Sequence, residues 1–331
     1  MYGSWEYLLA EFRKLGGIAD NVSQMEGEFG RGIFPLNPNL RSRIFVPSKL
    51  MVKSEDVFLK DNRIRIKERK GYKKEIRDFF NLYQDNFSWG KGGKEETESF
   101  EKGLSLFNSN LKELIKIHAL VDLEKRHKGN WDEVILKQFL ESRLITFNNE
   151  AMIAPMFDLV NHEITSLPFI INSEGISTPN YPPTNKELRH SYNCSSPLSQ
   201  FFAFGFFSKE TIIFSVPFTI NIKKGGIKLN CKGKNFRDDL MTIQRDANTI
   251  TIEGLPIADA NNPELPKIYF DELLRKIEDI NLTKEFLLKI FKLNIECRKN
   301  IINELATNDH KVFKMLTKVL HYEIDLISYN N

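Results

Sequence analysis

The feature that most constrains this chain is a long helical stretch with short strand-like segments on both sides of it. The stretch covers about residues 55–145 and contains apolar residues at helical spacing. Strands and helices do not alternate regularly along the chain, so a doubly wound parallel sheet is not expected. The pattern predicts an α+β fold, with strand-like segments at 32–34 and 43–47 before the stretch and at 152–154, 201–207 and 212–216 after it.

Both ends of the chain read as helices. Ser4 can cap a first helix whose apolar residues share one face, and Gly16 and Gly17 end it. From Leu287 onward, apolar residues recur every three or four positions. We therefore expect an N-terminal helix over residues 1–17, a core domain over 18–217 with a helical insertion at about 55–145, and a mainly helical C-terminal domain over 218–331.

Composition excludes several classes of protein. The net charge of the 331 residues is +3, which is too small to indicate a generally basic nucleic-acid binder. The three cysteines, Cys194, Cys231 and Cys297, are far apart, so neither a disulfide framework nor a cysteine-built zinc site is expected. No run of 18 apolar residues occurs, and the first residues lack the apolar core of a signal peptide. We expect a soluble protein of the cytoplasm or another intracellular compartment, without a membrane partner.

Three glycines, Gly27, Gly30 and Gly32, lie close together between two strand-like segments. Glycines there would let backbone groups approach a ligand closely. A dinucleotide-binding loop would have to lead directly into a helix, whereas Gly32 is followed by residues that include Pro35 and cannot start one. Taken alone, the glycines are more typical of a turn between strands.

A second signal is the run from Pro155 to Glu163, in which Asp158 and His162 are four residues apart. This spacing suits two metal ligands on one helical turn, but no third ligand stands at a matching distance. A buried hydrogen-bonded pair is the commoner explanation, and we expect no metal. A third signal is Ser191-Tyr192, which a phenylalanine-rich segment follows. Tyr192 alone could be a half-buried aromatic residue.

In this order, the signals resemble the SET family of protein methyltransferases, in its Rubisco large-subunit methyltransferase branch. The similarity extends over nearly the whole chain, and Asn-His and Ser-Tyr are its most specific parts. The matching elements are Gly30-Arg31-Gly32, Val46-Pro47 with Leu50, Ser142-Arg143, Asp158 with Asn161-His162, Ser191-Tyr192 and Phe204-Gly205-Phe206.

The resemblance implies a SET-type β core with a helical insertion, followed by a helical domain that binds the protein substrate. It implies transfer of a methyl group from S-adenosyl-L-methionine to a lysine side chain, or to a histidine side chain as in some relatives. Two departures, Asn193 and Phe204, replace a glycine and a tyrosine of the family pattern. They leave open a SET-fold module that binds protein without turnover. We expect a monomer.

The resemblance also assigns roles to individual residues. Tyr192 would be catalytic and would orient the attacking nitrogen, and Phe204 would line the substrate channel. The cofactor would be held by the backbone of Glu28, Phe29 and Gly30, by Arg143 at its carboxylate, by Asn161 and His162 at its adenine and amino-acid ends, by Phe206 through packing, and by Asp158 through support of that segment.

The segment from Lys60 to Arg77 is basic, with nine Lys or Arg residues against three Asp or Glu. Such a stripe can bind RNA, DNA or an acidic protein. A solvated face of the helical insertion is the commoner explanation for such a segment. We therefore do not expect nucleic-acid binding, although an adaptor that uses this segment remains an alternative.

Overall fold

The computed structural model describes residues 3–27, 30–68, 70–163, 166–192, 196–209, 212–222, 227–233, 241–276, 284–306 and 308–330. It divides into two compact units. The first contains residues 1–99 and 129–192, and the second contains 100–128 and 193–331.

The chain begins with ten elements, of which the last, a helix, crosses from the first unit into the second. In chain order these are α1 (Trp5–Lys14), β1 (Ile18–Asp20), β2 (Val22–Gly27), β3 (Gly30–Pro35), β4 (Arg43–Pro47), β5 (Val52–Lys53), β6 (Val57–Lys60), β7 (Arg63–Ile66), α2 (Lys74–Asn86) and α3 (Lys94–Ser105). The chain continues with α4 (Ser109–His118) and α5 (Leu123–Arg126) of the second unit. It then returns to the first with α6 (Trp131–Glu141), β8 (Leu144–Phe147), β9 (Glu150–Ile153), β10 (Ile170–Asn172) and β11 (Gly175–Ser177).

The strands of the first unit form small antiparallel sheets. The largest has the order β1-β4-β11-β10, and the others are β2-β3, β5-β9-β8 and β6-β7. A buried apolar core that includes Phe12, Ile33, Val46, Tyr83 and Phe157 lies between these sheets and helices α1 and α2. Burial of one such apolar side chain contributes about 1.5–3 kcal/mol to the stability of the fold.

The remaining elements of the second unit follow residue 192. They are α7 (Pro197–Phe204), β12 (Ile212–Phe214), β13 (Phe218–Ile222), β14 (Ile227–Cys231), β15 (Thr242–Asp246), β16 (Thr249–Glu253), β17 (Pro256–Asp259), α8 (Leu265–Lys276), α9 (Lys284–Leu305) and α10 (Lys311–Tyr329). The strands pair as β13-β14-β16-β15 and β12-β17, and β14 with β16 is the parallel pair among them. The expected α+β class is confirmed, with a helical C-terminal region.

One predicted strand is wrong. Residues 201–207 read as strand because five of them are phenylalanine, but Phe201 and Phe202 are buried in helix α7. The local signals explain the helix. Ser196 accepts a hydrogen bond from the backbone N–H of Ser199, Pro197 occupies the first turn, and Gly205 ends the helix in a left-handed conformation with φ 76°.

Candidate active site

A short extended segment, residues 188–192, brings the predicted site residues together. Leu188 N–H donates to Ile33 O at 2.7 Å, so the segment joins strand β3. His190 N–H donates to Asn161 O at 3.1 Å, and Glu163 N–H donates to His190 O at 3.0 Å. These bonds hold the Asn161-His162 pair beside Tyr192, although 30 residues separate them in the chain.

Tyr192 is fixed at both its backbone and its hydroxyl. Its N–H donates to Nδ1 of His162 at 3.0 Å, and its hydroxyl donates to the carbonyl oxygen of Val160 at 2.9 Å. Because Nδ1 of His162 accepts a hydrogen bond, the neutral imidazole carries its proton on Nε2. Burial raises the pKa of Tyr192 well above its ordinary value, and the charges of Arg143, Asp158 and Glu187 also act on it. The hydroxyl therefore stays protonated at neutral pH.

Aromatic rings surround Tyr192. The ring centroids of His162 and His190 lie 5.0 and 4.6 Å from its own, and Phe169 lies 3.5 Å from His190 on the far side. His190 is completely buried, and this burial lowers its pKa to about 3. Burial also lowers the pKa of His162. Both imidazoles are neutral at pH 7, so the rings that contact Tyr192 carry no charge of their own.

A buried carboxylate that sequence reasoning missed, Glu187, orients Asn161. Nδ2 of Asn161 donates to Oε1 of Glu187 at 2.6 Å and to the carbonyl oxygen of Arg31 at 3.2 Å. Nε of Arg189 donates to Oε2 of Glu187 at 3.0 Å, and the Glu187 side chain is only 3% exposed. With Nδ2 occupied, the amide of Asn161 presents its oxygen, an acceptor, to a ligand.

Position 32 must be a glycine for a steric reason. A Cβ atom there would lie 2.0 Å from Oε1 of Glu187 and 3.1 Å from Nδ2 of Asn161. The carboxylate therefore occupies the space that any other residue would fill. Gly30 differs, because its φ of +85° favours glycine while its surroundings are open. A signal for Glu187 existed in the sequence, since it is the single carboxylate between residues 175 and 192.

Asp158 is the centre of a second cluster. Its side chain is 2% exposed and accepts hydrogen bonds from the hydroxyl of Tyr83 and from Oγ of Ser88, the latter at 2.6 Å. Nε of Arg143 lies 3.8 Å from Oδ2 of Asp158. The preceding turn is strained, because the buried Met156 has φ 78°, which is rare for a residue with a side chain. Strain held by such a network is typical of functional segments.

The guanidinium of Arg143 is held in one orientation. It lies 4.0 Å over the ring of Phe139, and Nη1 donates to Oγ of Ser142 at 2.6 Å. The side chain is 24% exposed. No hydrogen bond to Nη2 is found in the described part of the chain, so this end can bind a carboxylate.

The structure thus brings Gly30, Arg143, Asp158, Asn161, His162 and Tyr192 into one unit. Glu28 and Phe29 lie outside the described residues. Phe204 and Phe206 belong to the second unit, where their rings stack with centroids 5.7 Å apart. Their roles toward the cofactor and the substrate stay predictions.

Asp158 and His162 have other partners than a shared metal ion. Asp158 accepts from Tyr83 and Ser88, and Nδ1 of His162 accepts from Tyr192. Among the described residues, no three His, Cys, Asp or Glu side chains come together as a metal-binding group. Likewise, no helix in the described ranges has the length and apolar character to cross a membrane.

Several cations of the basic segment 60–77 have partners within the chain. Arg65 makes a two-bond contact with Asp85 at 2.9 and 2.8 Å. Arg77 donates to backbone carbonyls, including Ile66 O and Tyr72 O at 3.1 Å each, and Lys70 pairs with Asp56 at 2.8 Å. These contacts favour a structural role for the segment over nucleic-acid binding.

Comparison with known proteins finds similarity in solved structures alone. No family model matches the chain, and no curated protein sequence matches it. The SET domain of LSMT bound to lysine and AdoHcy is 12% identical, with 98% of this chain and 89% of that one covered and a TM-score of 0.48. Rubisco LSMT bound to AdoMet is 12% identical, with 98% and 90% covered and a TM-score of 0.47.

Proposed function

We propose that this chain is an S-adenosyl-L-methionine-dependent methyltransferase that modifies a lysine side chain of another protein. The observation that carries the proposal is the placement of Tyr192. Its protonated hydroxyl is held by Val160 in an apolar surrounding, beside the Asn161-His162 pair. The order of motifs along the sequence supports the same activity.

The residues present fit the amino-acid end of the cofactor. Nη2 of Arg143 suits its carboxylate, because guanidinium groups bind carboxylates with charge-assisted hydrogen bonds. The amide oxygen of Asn161 suits its ammonium group, because Nδ2 of the same amide already donates to Glu187. By resemblance, Asn161 and His162 would hold the adenine and amino-acid ends, Phe206 would pack nearby, and the backbone of Glu28, Phe29 and Gly30 would meet the cofactor. When bound, the cofactor supplies an electrophilic methyl group on a sulfonium.

The role of Tyr192 in the reaction follows from its hydrogen bond. Its hydrogen is directed at Val160 O, and a hydroxyl can accept as well as donate, so we assign the oxygen the role of acceptor for an N–H of the incoming amine. An amine held in this way points its lone pair in a fixed direction, and methyl transfer depends mainly on such alignment. The raised pKa of Tyr192 means that the hydroxyl does not act as a base at neutral pH.

The acceptor amine must reach the site without its extra proton. At the reference lysine pKa, roughly one side chain in 2,500 is neutral at pH 7. The rings of His162, His190 and Phe169 provide apolar surroundings beside Tyr192. Desolvation by such rings lowers the pKa of a lysine and so raises the neutral fraction.

The proposal is tested by ligand-induced stabilisation. S-adenosylhomocysteine should raise the unfolding temperature, since a ligand at 100 times its Kd adds about 2.7 kcal/mol. Asn161→Ala should lose this shift, while its unfolding without ligand stays cooperative. The absence of any shift in the wild type at millimolar ligand would contradict the proposal.

A further inference from the structure

Strand β10 is an unusual edge strand. In the sheet β1-β4-β11-β10 it is the last member, and among the described strands none pairs with its other side. Edge strands are commonly protected by charged residues. Here Ile170 and Ile171 are 52% and 50% exposed, and nearby Leu167 is 66% exposed. The only charged side chain between residues 166 and 175 is Glu174, in the turn that follows the strand.

The backbone of Ile171 faces the open side of the sheet. In β11, the even-numbered neighbours bond to the β4 side, because Ser48 N–H donates to Glu174 O and Thr178 N–H donates to Ile44 O. The odd-numbered residues of β11 therefore face β10, where Gly175 is paired with Asn172 and Ser177 with Ile170. Ile171 lies between these two hydrogen-bonded pairs, so its own N–H and C=O point away from β11.

This edge leads to Tyr192. Leu167 O accepts a hydrogen bond from Ser191 N–H at 3.4 Å, next to the tyrosine. Phe169 stacks on His190, which in turn contacts Tyr192 with a centroid distance of 4.6 Å. Phe169 lies directly before β10, two positions from Ile171. Leu167 and Ile171 are four positions apart, which spans at most about 13 Å of chain.

We propose that this edge binds an extended segment of the substrate protein that carries apolar side chains next to the methylated residue. The segment adds as a strand beside β10, and its main chain pairs with the outward N–H and C=O of Ile171. Its apolar side chains cover Leu167 and Ile171. The inference rests on the proposed function and names the class of substrate for it.

The continuity of the surface with the Tyr192 cluster is the reason for this occupant. A chain bound along β10 is led toward Ser191 and places a side chain about four residues away near the Tyr192 hydroxyl. A second copy of this chain could also cover the apolar edge of β10. It would not bring a residue to be methylated to the Tyr192 hydroxyl.

The test uses a library of 13-residue peptides with one central lysine and tritiated S-adenosylmethionine. Peptides with apolar residues at alternate positions, two and four residues from the lysine on one side, should be labelled at least tenfold more than peptides with Ser there. N-methylation of the peptide backbone in that segment should reduce labelling, since it removes the N–H groups that pair with an edge strand.

Two variants separate docking from catalysis. Ile171→Glu should reduce the tenfold preference to near one and raise KM, with the S-adenosylhomocysteine shift unchanged. Leu36→Glu is the matched control: Leu36 is 75% exposed, and its N–H bonds to Asn21 O beside β1, at the opposite edge of the sheet. Its preference should equal that of the wild type.

Three results would overturn the inference. One is an equal effect of Ile171→Glu and Leu36→Glu, and another is labelling of lysate proteins without labelling of any peptide. The third is a dimer at assay concentration that Ile171→Glu dissociates, which would assign the edge to a second copy. Loss of cofactor binding and of all transfer in the wild type would instead refute the proposed function, and this inference with it.

Discussion

The hydroxyl of Tyr192 donates a 2.9 Å hydrogen bond to the carbonyl oxygen of Val160, one residue before the Asn161-His162 pair. This bond connects the proposed catalytic group to the proposed cofactor-binding segment directly. A change in the position of residues 160–162 therefore also moves the tyrosine. Asn161 and Glu163 keep their own backbone hydrogen bonds to His190. We therefore expect the Tyr192 contact to align the acceptor amine and not to determine cofactor affinity.

Gly32→Ala should damage the site through Glu187. The new methyl group would lie 2.0 Å from Oε1 of the carboxylate, which must then move away from Asn161. Overpacking of this kind costs about 1–3 kcal/mol of the free energy of unfolding. We expect a lower unfolding temperature and a weaker S-adenosylhomocysteine shift. Wild-type affinity in calorimetry would show that Glu187 does not orient Asn161 for binding.

Tyr83→Phe should weaken the Asp158 cluster. It removes a hydrogen bond to a buried carboxylate and should cost about 2 kcal/mol of the free energy of unfolding. Because Asp158 also lies beside Arg143, cofactor affinity should fall as well.

Tyr72→Phe is the control for that variant. Tyr72 also donates to a carboxylate, Asp56, at 3.0 Å, but Asp56 additionally pairs with Lys70. Denaturant unfolding should show a smaller loss of stability for Tyr72→Phe, and cofactor affinity should stay at the wild-type value. A loss of affinity in both variants would contradict a specific role for the Asp158 cluster.

Acid should destabilise the first unit through His190. Its pKa falls from 6.5 to about 3 on folding because the imidazole is buried. Below pH 6.5 the unfolded state binds a proton that the folded state does not, so stability is complete above pH 6.5 and is lost as pH falls toward 3. The loss between pH 6.5 and 5 is about 2 kcal/mol.

His190→Phe checks that assignment, because it keeps a ring against Phe169 and removes the titrating group. Denaturant unfolding at a series of pH values should show a flatter profile between pH 6.5 and 5 for the variant. Parallel profiles for the variant and the wild type would assign the acid sensitivity to other groups.

The sequence predicted those parts of the fold and site that depend on neighbouring residues. The α+β class follows from local periodicity, whereas a site shared by Asn161, His162 and Tyr192 was implied only by the family resemblance. Glu187 is the single carboxylate between residues 175 and 192, but its contact with Asn161 was not predictable, because that contact depends on the absence of a side chain at Gly32, 155 residues earlier.

The contacts of Asp158 were also not predictable, because its partners are distant in the sequence. Tyr83 and Ser88 bind Asp158 across 75 and 70 residues, and nothing near Asp158 in the chain indicates those partners. The aromatic content of helix α7 predicts a strand, whereas the Ser196 and Gly205 caps determine a helix. Caps restrict the backbone directly, whereas aromatic residues are accommodated in either structure.

The central claim is tested most directly by methyl transfer from tritiated S-adenosylmethionine into a lysate, with wild type and Tyr192→Phe compared. Mass spectrometry of the labelled protein then identifies the modified side chain. The account predicts transfer to lysine by the wild type and at least tenfold less by the variant, about 1.4 kcal/mol of transition-state stabilisation. Cofactor affinity should be retained in both. Equal transfer by the two proteins, or none by a wild type that binds the cofactor, would contradict it.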